Sequence, residues 1–181
     1  MTACKDSDIQ SEVSMENFVT IAKTILLHNL PHDGVFVNYT MTGGNDTLYL
    51  AKFVSEGNVY AFTEDSEAMD RSMAVFESSF QDNVQVIQDK PLEIDKYLTC
   101  DINGFIVNTV KSNMIDGEIK RLVDMSLGIM KVGARGGILL RRDMTETVDY
   151  LMSLSREKVG VLRLAMANED VPDVYIIERI Q

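Results

Sequence analysis

At 181 residues the chain has the length of one domain, and 45% hydrophobic and 25% charged residues with 11 Gly and 3 Pro exclude a disordered or fibrous protein. Seventeen Lys and Arg against 28 Asp and Glu give a formal net charge of -11, which repels phosphate backbones and restricts any RNA contact to a local basic patch. Two cysteines, Cys4 and Cys100, exclude a disulfide framework and a four-cysteine zinc site. Neither a membrane-length apolar run nor a signal peptide is visible, so the expected setting is cytoplasmic.

Residues Met1 to about Ser14 are polar and aperiodic, which predicts a flexible tail over 1–14 and a single domain over 15–181. A helix is expected from near Met15 or Glu16, docking through Phe18, Ile21, Ala22, Ile25 and Leu26. Pro31-His32-Asp33-Gly34 breaks it and feeds the apolar strand Val35-Phe36-Val37. After a glycine turn and the helix it opens come the strand Val59 to Phe62, a helix from Ser66 to Phe80 and the strand Val84 to Ile87. A turn-rich helix around Leu92 to Leu98, the strand Ile102 to Val107, a helix from about Asp116 to Met130 and the strand Gly136 to Leu140 follow. Two strands close the chain, Val159 to Ala165 and Val174 to Ile180. Alternation of this kind predicts an α/β doubly wound fold, mostly parallel, with helices on both faces. The final pair is joined by too few residues for a crossover helix and should form an antiparallel hairpin.

In such a sheet the ligand sits at the carboxyl ends of the strands, beside the turn after the first one. That turn is Thr42-Gly43-Gly44-Asn45. Glycines admit close approach of a ligand to the backbone, and a helix capped by Asn45 or Asp46 presents free N–H groups to an anion. The spacing fails both the dinucleotide fingerprint and the phosphate-loop pattern, and taken alone it equally describes an ordinary turn.

A longer match surrounds the turn. Val37-Asn38-Tyr39-Thr40-Met41-Thr42-Gly43-Gly44-Asn45-Asp46-Thr47-Leu48-Tyr49-Leu50-Ala51-Lys52, then Val59-Tyr60-Ala61-Phe62-Thr63, follow a pattern that reads V-D-A-T-x-G-N-G-x-D-T-L-F-L-A and V-Y-A-F-D. Together with Met130 to Leu140 and Asn168 to Arg179, these stretches make the chain from about Phe18 to Gln181 resemble a family of small class I S-adenosylmethionine-dependent methyltransferases. Its members are known as rRNA methylases and are associated with methylation of 5-aminomethyl-2-thiouridine in tRNA. The resemblance implies a Rossmann-like, seven-stranded sheet binding S-adenosylmethionine. It places Asn38, Thr40, Gly43 and Gly44 by the methionine end of the cofactor, with Asn45, Asp46 and Thr47 opening the helix beside it. Thr63 and Glu64 would stand by the ribose, Asp89 near the adenine, and Asn108 near the reaction centre as the catalytic position.

Several positions depart from the family pattern. Asn38 replaces an Asp, Thr42 a Gly, and Thr63 the ribose carboxylate; Glu64, one residue on, faces the other side in a regular strand unless a turn rotates it. Lys90-Pro91-Leu92 replaces Ser-His-Glu, Thr109 to Asn113 replaces the acceptor loop, and Arg141-Arg142-Asp143-Met144 replaces a Tyr and Gly-His signature. The expected activity is methylation of a nucleobase amine, the alternative a catalytically inactive binding or dimerisation module. Lys111, Arg141 and Arg142 form a candidate rim for tRNA or rRNA phosphate, and the resemblance suggests a homodimer. His28 and His32 lack companions for a metal site, so no metal is expected, and the 11 methionines read as core filler.

Overall fold

The computed structural model describes residues 5–166 and 171–181, with side chains from residue 16 onward. Helix α1 (Lys5–Leu27) leads to β1 (Val35–Asn38), α2 (Asn45–Phe53), β2 (Asn58–Thr63), α3 (Ser66–Ser78) and β3 (Val84–Gln88). A 3-10 segment (Pro91–Lys96) precedes β4 (Ile102–Asn108), α4 (Asp116–Ile129), β5 (Met130–Leu140), α5 (Thr145–Ser153), β6 (Val159–Leu164) and β7 (Asp173–Arg179). The single sheet runs β3-β2-β1-β4-β5-β7-β6. The first five strands are parallel, and β7 lies antiparallel between β5 and β6. The seven strands, the parallel majority and the antiparallel closing pair agree with the expectation from sequence. Residues 167–170, within the connection that joins that pair, lie outside the described residues, as does Cys4.

Side chains alternate across the sheet and divide the core between two faces. On one, Ala22, Leu26 and Leu27 of α1 and Leu50 and Ala51 of α2 cover Phe36, Val59, Leu139 and Ile176. On the other, Ile119, Leu122 and Val123 of α4 and Leu151 of α5 cover Val37, Phe105, Ile138 and Tyr175. The order reverses between β1 and β4, which send their following helices to opposite faces and leave a crevice at their carboxyl ends.

Four features differ from the sequence reading. Helix α1 starts at Lys5 rather than near Met15; no Gly or Pro stands between Lys5 and Leu27 to stop it. Ile21 is 58% exposed, because the buried stripe centres on Ala22 and Leu26, one helical turn apart, and position 21 falls to its side. Helix α5 lies within a stretch that carried no predicted element. Strand β5 begins at Met130, six residues before the expected start, and Gly133 takes a positive φ of 82° at the irregular register between Ile102 and Gly104. Among the described residues no helix is long and apolar enough to cross a membrane.

Candidate functional site

The loops after β1, β2, β3 and β4 meet at the carboxyl edge of the sheet around a cleft of about 320 Å³. Thr40 and Met41 come from the first loop, Thr63 and Glu64 from the end of β2, Lys90 to Leu92 from the third loop and Lys111 to Met114 from the fourth. A smaller recess of about 60 Å³ adjoins it against the glycine turn, and Thr40, Thr42 and Lys111 line both.

Strand β1 ends in a network that aims these loops. Asn38 is 2% exposed; its Oδ1 accepts from the Thr40 N–H at 3.0 Å and its Nδ2 donates to Thr47 Oγ1 at 2.8 Å. The Thr40 hydroxyl accepts from the Asn108 N–H at 2.6 Å, tying the loop after β1 to the end of β4. The cap of α2 is Gly44, with a φ of 80°, rather than Asn45 or Asp46, which fall inside its first turn, and no side chain caps that helix. Gly43 is exposed in the recess, and a Cβ there would meet nothing within 4 Å.

The structure brings together most of the residues singled out in the sequence. Asn38, Thr40, Gly43, Gly44, Asn45 and Asp46 line the recess, and Thr63 and Glu64 line the cleft. Strand β2 ends at Thr63, whose hydroxyl accepts from the Asp65 N–H at 3.2 Å. The backbone bends there, so Glu64 lies past the strand and lines the cleft with Thr63 instead of pointing to the opposite face. Its exposed carboxylate has no hydrogen bond or ion pair among the described residues.

Other residues stand apart. Thr47 is fully buried beneath the turn on Asn38. Asp89 lies beside the cleft rather than in its lining; it accepts from the Tyr97 hydroxyl and the Lys90 N–H, both at 2.7 Å, and has Lys96 Nζ at 3.6 Å. The Tyr97 hydrogen bond, then the Lys90 N–H, holds its carboxyl below the usual carboxylate range. Asn108 turns its Oδ1 onto the Val110 N–H at 3.1 Å and borders a small recess under α1, beside Asp46, rather than the main cleft.

The three rim cations separate. The Arg141 guanidinium donates to the carbonyls of Thr109, Ser112 and Met114 at 3.1, 3.0 and 3.4 Å, so it clamps the loop after β4. Arg142 Nε donates to the Val171 carbonyl at 3.1 Å. Lys111 is exposed and, among the described residues, has no carboxylate partner.

A charged partner of the site also escaped the sequence reading. Lys23, on α1, forms an ion pair with Asp46 at 2.5 Å and stands 5.0 Å from the centre of the Tyr49 ring. No local pattern marks it, since the pair is 23 positions apart. Among the described residues no group of three or more His, Cys, Asp or Glu could hold a metal ion.

No family model matches the chain. Similar solved structures include a candidate methyltransferase from Streptococcus mutans in complex with SAH, 22% identical, covering 90% of this chain and 97% of that one at a TM-score of 0.81. A candidate rRNA methylase from Clostridium thermocellum is 19% identical over 91% of this chain and 96% of its own, with a TM-score of 0.79. An rRNA methylase from Streptococcus thermophilus is 21% identical over 92% and 95%, with a TM-score of 0.77. The chain thus has the Rossmann-like α/β fold of class I methyltransferases. Its cleft lies at the switch point where that class of fold binds ligands.

Proposed function

We propose that this chain is an S-adenosylmethionine-dependent methyltransferase that acts on RNA, with a nucleobase amine as acceptor. The observation that carries this reading is the cleft, walled by four successive carboxyl-edge loops beside a glycine turn, in the fold of a protein solved with SAH. Its volume of about 320 Å³ reaches the range of small-molecule sites. The residues present fit the cofactor: Gly43 leaves open space by the turn, Met41, Phe62 and Leu92 offer apolar wall, and Glu64 holds an unpaired carboxylate at the end of β2.

On this reading the recess at Gly43, Gly44 and Asn45 takes the amino-acid end. Glu64, rather than Thr63, accepts hydrogen bonds from the ribose hydroxyls. Asp89 fixes the Lys90 to Leu92 wall through its bonds to Lys90 and Tyr97. The cofactor supplies an electrophilic methyl group, and the chain contributes proximity and orientation. A neutral acceptor amine needs no strong base. Asn108 acts through the loop it anchors, with its N–H on Thr40 and its Oδ1 on Val110. Lys90 and Lys111, both exposed on the cleft lining of an otherwise acidic protein, suit the phosphates of an RNA acceptor. The two rRNA methylases among the similar structures support the same acceptor class.

One set of observations favours a second reading, a binding or dimerisation module without catalysis. Asp46 is paired with Lys23, Asp89 is held by Tyr97, and the Asn38 side chain has both hydrogen bonds made inside the chain. Calorimetric titration with S-adenosylmethionine and S-adenosylhomocysteine, followed by transfer of labelled methyl to undermodified tRNA and rRNA, separates the two. Binding with transfer supports the enzyme. Binding without transfer to either RNA supports the module, and no heat at millimolar ligand removes the cofactor reading.

A further inference from the structure

A second opening lies on the carboxyl edge of the sheet, beyond β5. It is a slot of about 520 Å³ between α5 and the β6–β7 pair, a volume within the range of small-molecule sites. Arg141 stands between the two openings: it lines the slot, while its guanidinium holds the loop after β4 that walls the cleft.

Strand register gathers the polar groups of the slot. Arg163 and Tyr175 are paired across β6 and β7, and Asp173 stands two residues before Tyr175, so all three side chains leave the same face of the sheet. Asp173 Oδ2 accepts from Arg163 Nε at 2.9 Å and from Nη2 at 2.6 Å, which fixes the guanidinium plane, and its Oδ1 has no partner among the described residues. The guanidinium stands 5.9 Å from the centre of the Tyr175 ring, and the Arg163 side chain remains 55% exposed. Tyr175 itself is fully buried, and its hydroxyl has no hydrogen-bond partner. A buried hydroxyl left unpaired is rare, and a phenylalanine would fill the same space without it. Across the slot, Asp149 of α5 presents an exposed carboxylate with no partner among the described residues, and Leu140 and Val148 supply apolar wall. The free oxygens of Asp149 and Asp173 call for N–H donors, and the fixed guanidinium plane for a flat π-face.

We propose that this slot takes a nucleobase bearing an exocyclic amino group, stacked on Arg163, with its N–H groups donated to Asp149 and Asp173 and the Tyr175 hydroxyl as a further hydrogen-bonding group. The RNA reading above supplies only the source: on that reading the base belongs to a nucleotide beside the acceptor. Strands β7 and β6 lie two and three places from β4 on the same edge, about 10–15 Å away, within reach of the same single strand.

The test is NMR titration of the full chain with guanosine monophosphate and with inosine monophosphate, which lacks only the amino group. A uridine-rich single-stranded RNA carrying one guanosine, or one inosine in its place, follows. Guanosine monophosphate is expected to shift the amides of residues 145–149, 163 and 173–175 and to bind about tenfold tighter than inosine monophosphate. In Asp149→Asn the two should fall within about threefold of each other. Tyr175→Phe should melt no lower than the parent, since its hydroxyl has no partner to lose, and should bind guanosine monophosphate about threefold or more weaker. Equal affinity for the two nucleotides, shifts confined to the cleft, or affinities that neither substitution changes overturn the inference. The same preference in the RNA pair supports an RNA base as the occupant; a preference confined to the free nucleotides supports the slot and overturns its place on an RNA. S-adenosylhomocysteine titrated beside these probes reads the cleft separately, so its failure to bind removes the cofactor reading and leaves the slot standing.

Discussion

Gly43 and Gly44 are neighbours in sequence, yet a methyl group added to each should do opposite things. Gly44 sits at a φ of 80°, where an L side chain costs about 1–2 kcal/mol. A Cβ there would lie 3.3 Å from the Cα and Cβ of Ser72 and 3.4 Å from Phe76 Cε1, so α3 must give way by a few tenths of an ångström. Strain and crowding together put Gly44→Ala at about 1–3 kcal/mol of lost stability, or about 3–10 °C in Tm for a chain of this length. Gly43 has no positive φ, and its Cβ would meet nothing within 4 Å, so Gly43→Ala should stay within about 0.5 kcal/mol of the parent. Gly43 does, however, line the recess, and a methyl there should weaken S-adenosylhomocysteine by about tenfold. Urea unfolding followed by circular dichroism, run beside calorimetry on the same preparations, reads both quantities. Equal destabilisation by the two substitutions, or undiminished binding to Gly43→Ala, refutes the division between a packing glycine and a ligand-facing one.

Other substitutions address the remaining parts of the site. Asn38→Asp can keep both hydrogen bonds, since the Thr47 hydroxyl can turn to donate; the added charge should raise the preference for S-adenosylhomocysteine over its deamino analogue by about tenfold, measured by competitive titration. Glu64→Gln should weaken S-adenosylhomocysteine by about tenfold with no change in melting temperature, and unaltered affinity would remove Glu64 from the ribose. Arg141→Met strips the donor from three carbonyls and should cost about 1–3 kcal/mol, with faster amide exchange confined to residues 109–114. Tyr97→Phe removes the largest cause of the lowered Asp89 pKa, so NMR titration should show that carboxyl returning toward its ordinary range. Because the folded pKa is the depressed one, the stability this bond contributes is present above the unfolded-state value and lost as pH falls through the folded value; parent and variant should converge in acid.

The alternation of strand and helix signals was enough to read a mostly parallel sheet, and the short connection before β7 was enough to read its antiparallel end. Helix α5 was less legible. Its nine residues include Thr145, Thr147, Val148 and Tyr150, types that favour strands, and its buried positions Thr147 and Leu151 form only one helical repeat. The start of β5 was hidden for a related reason: Lys131, Val132 and Gly133 are exposed or half-exposed at the irregular edge of the ladder, so no alternating apolar pattern marks them.

At the cleft, the residue types were readable and their partners were not. Glu64 could be named as a carboxylate near the end of a strand, but whether it enters the cleft depends on β2 ending at Thr63 and on the Asp65 N–H closing a turn over that hydroxyl. Arg141 has the charge of a phosphate-binding rim, yet three carbonyls 27 to 32 positions away take its donors. Asp46 has the charge of an ammonium ligand, and Lys23 takes it from another helix. With Asp46 paired to Lys23, and Arg141 paired to Asp143 and turned onto the three carbonyls, the charged groups of the cleft that have no partner stand out. Among the described residues these include Glu64 at the end of β2 and Lys111 beside the glycine turn. A ligand with hydroxyl donors at one end and an anion at the other meets both.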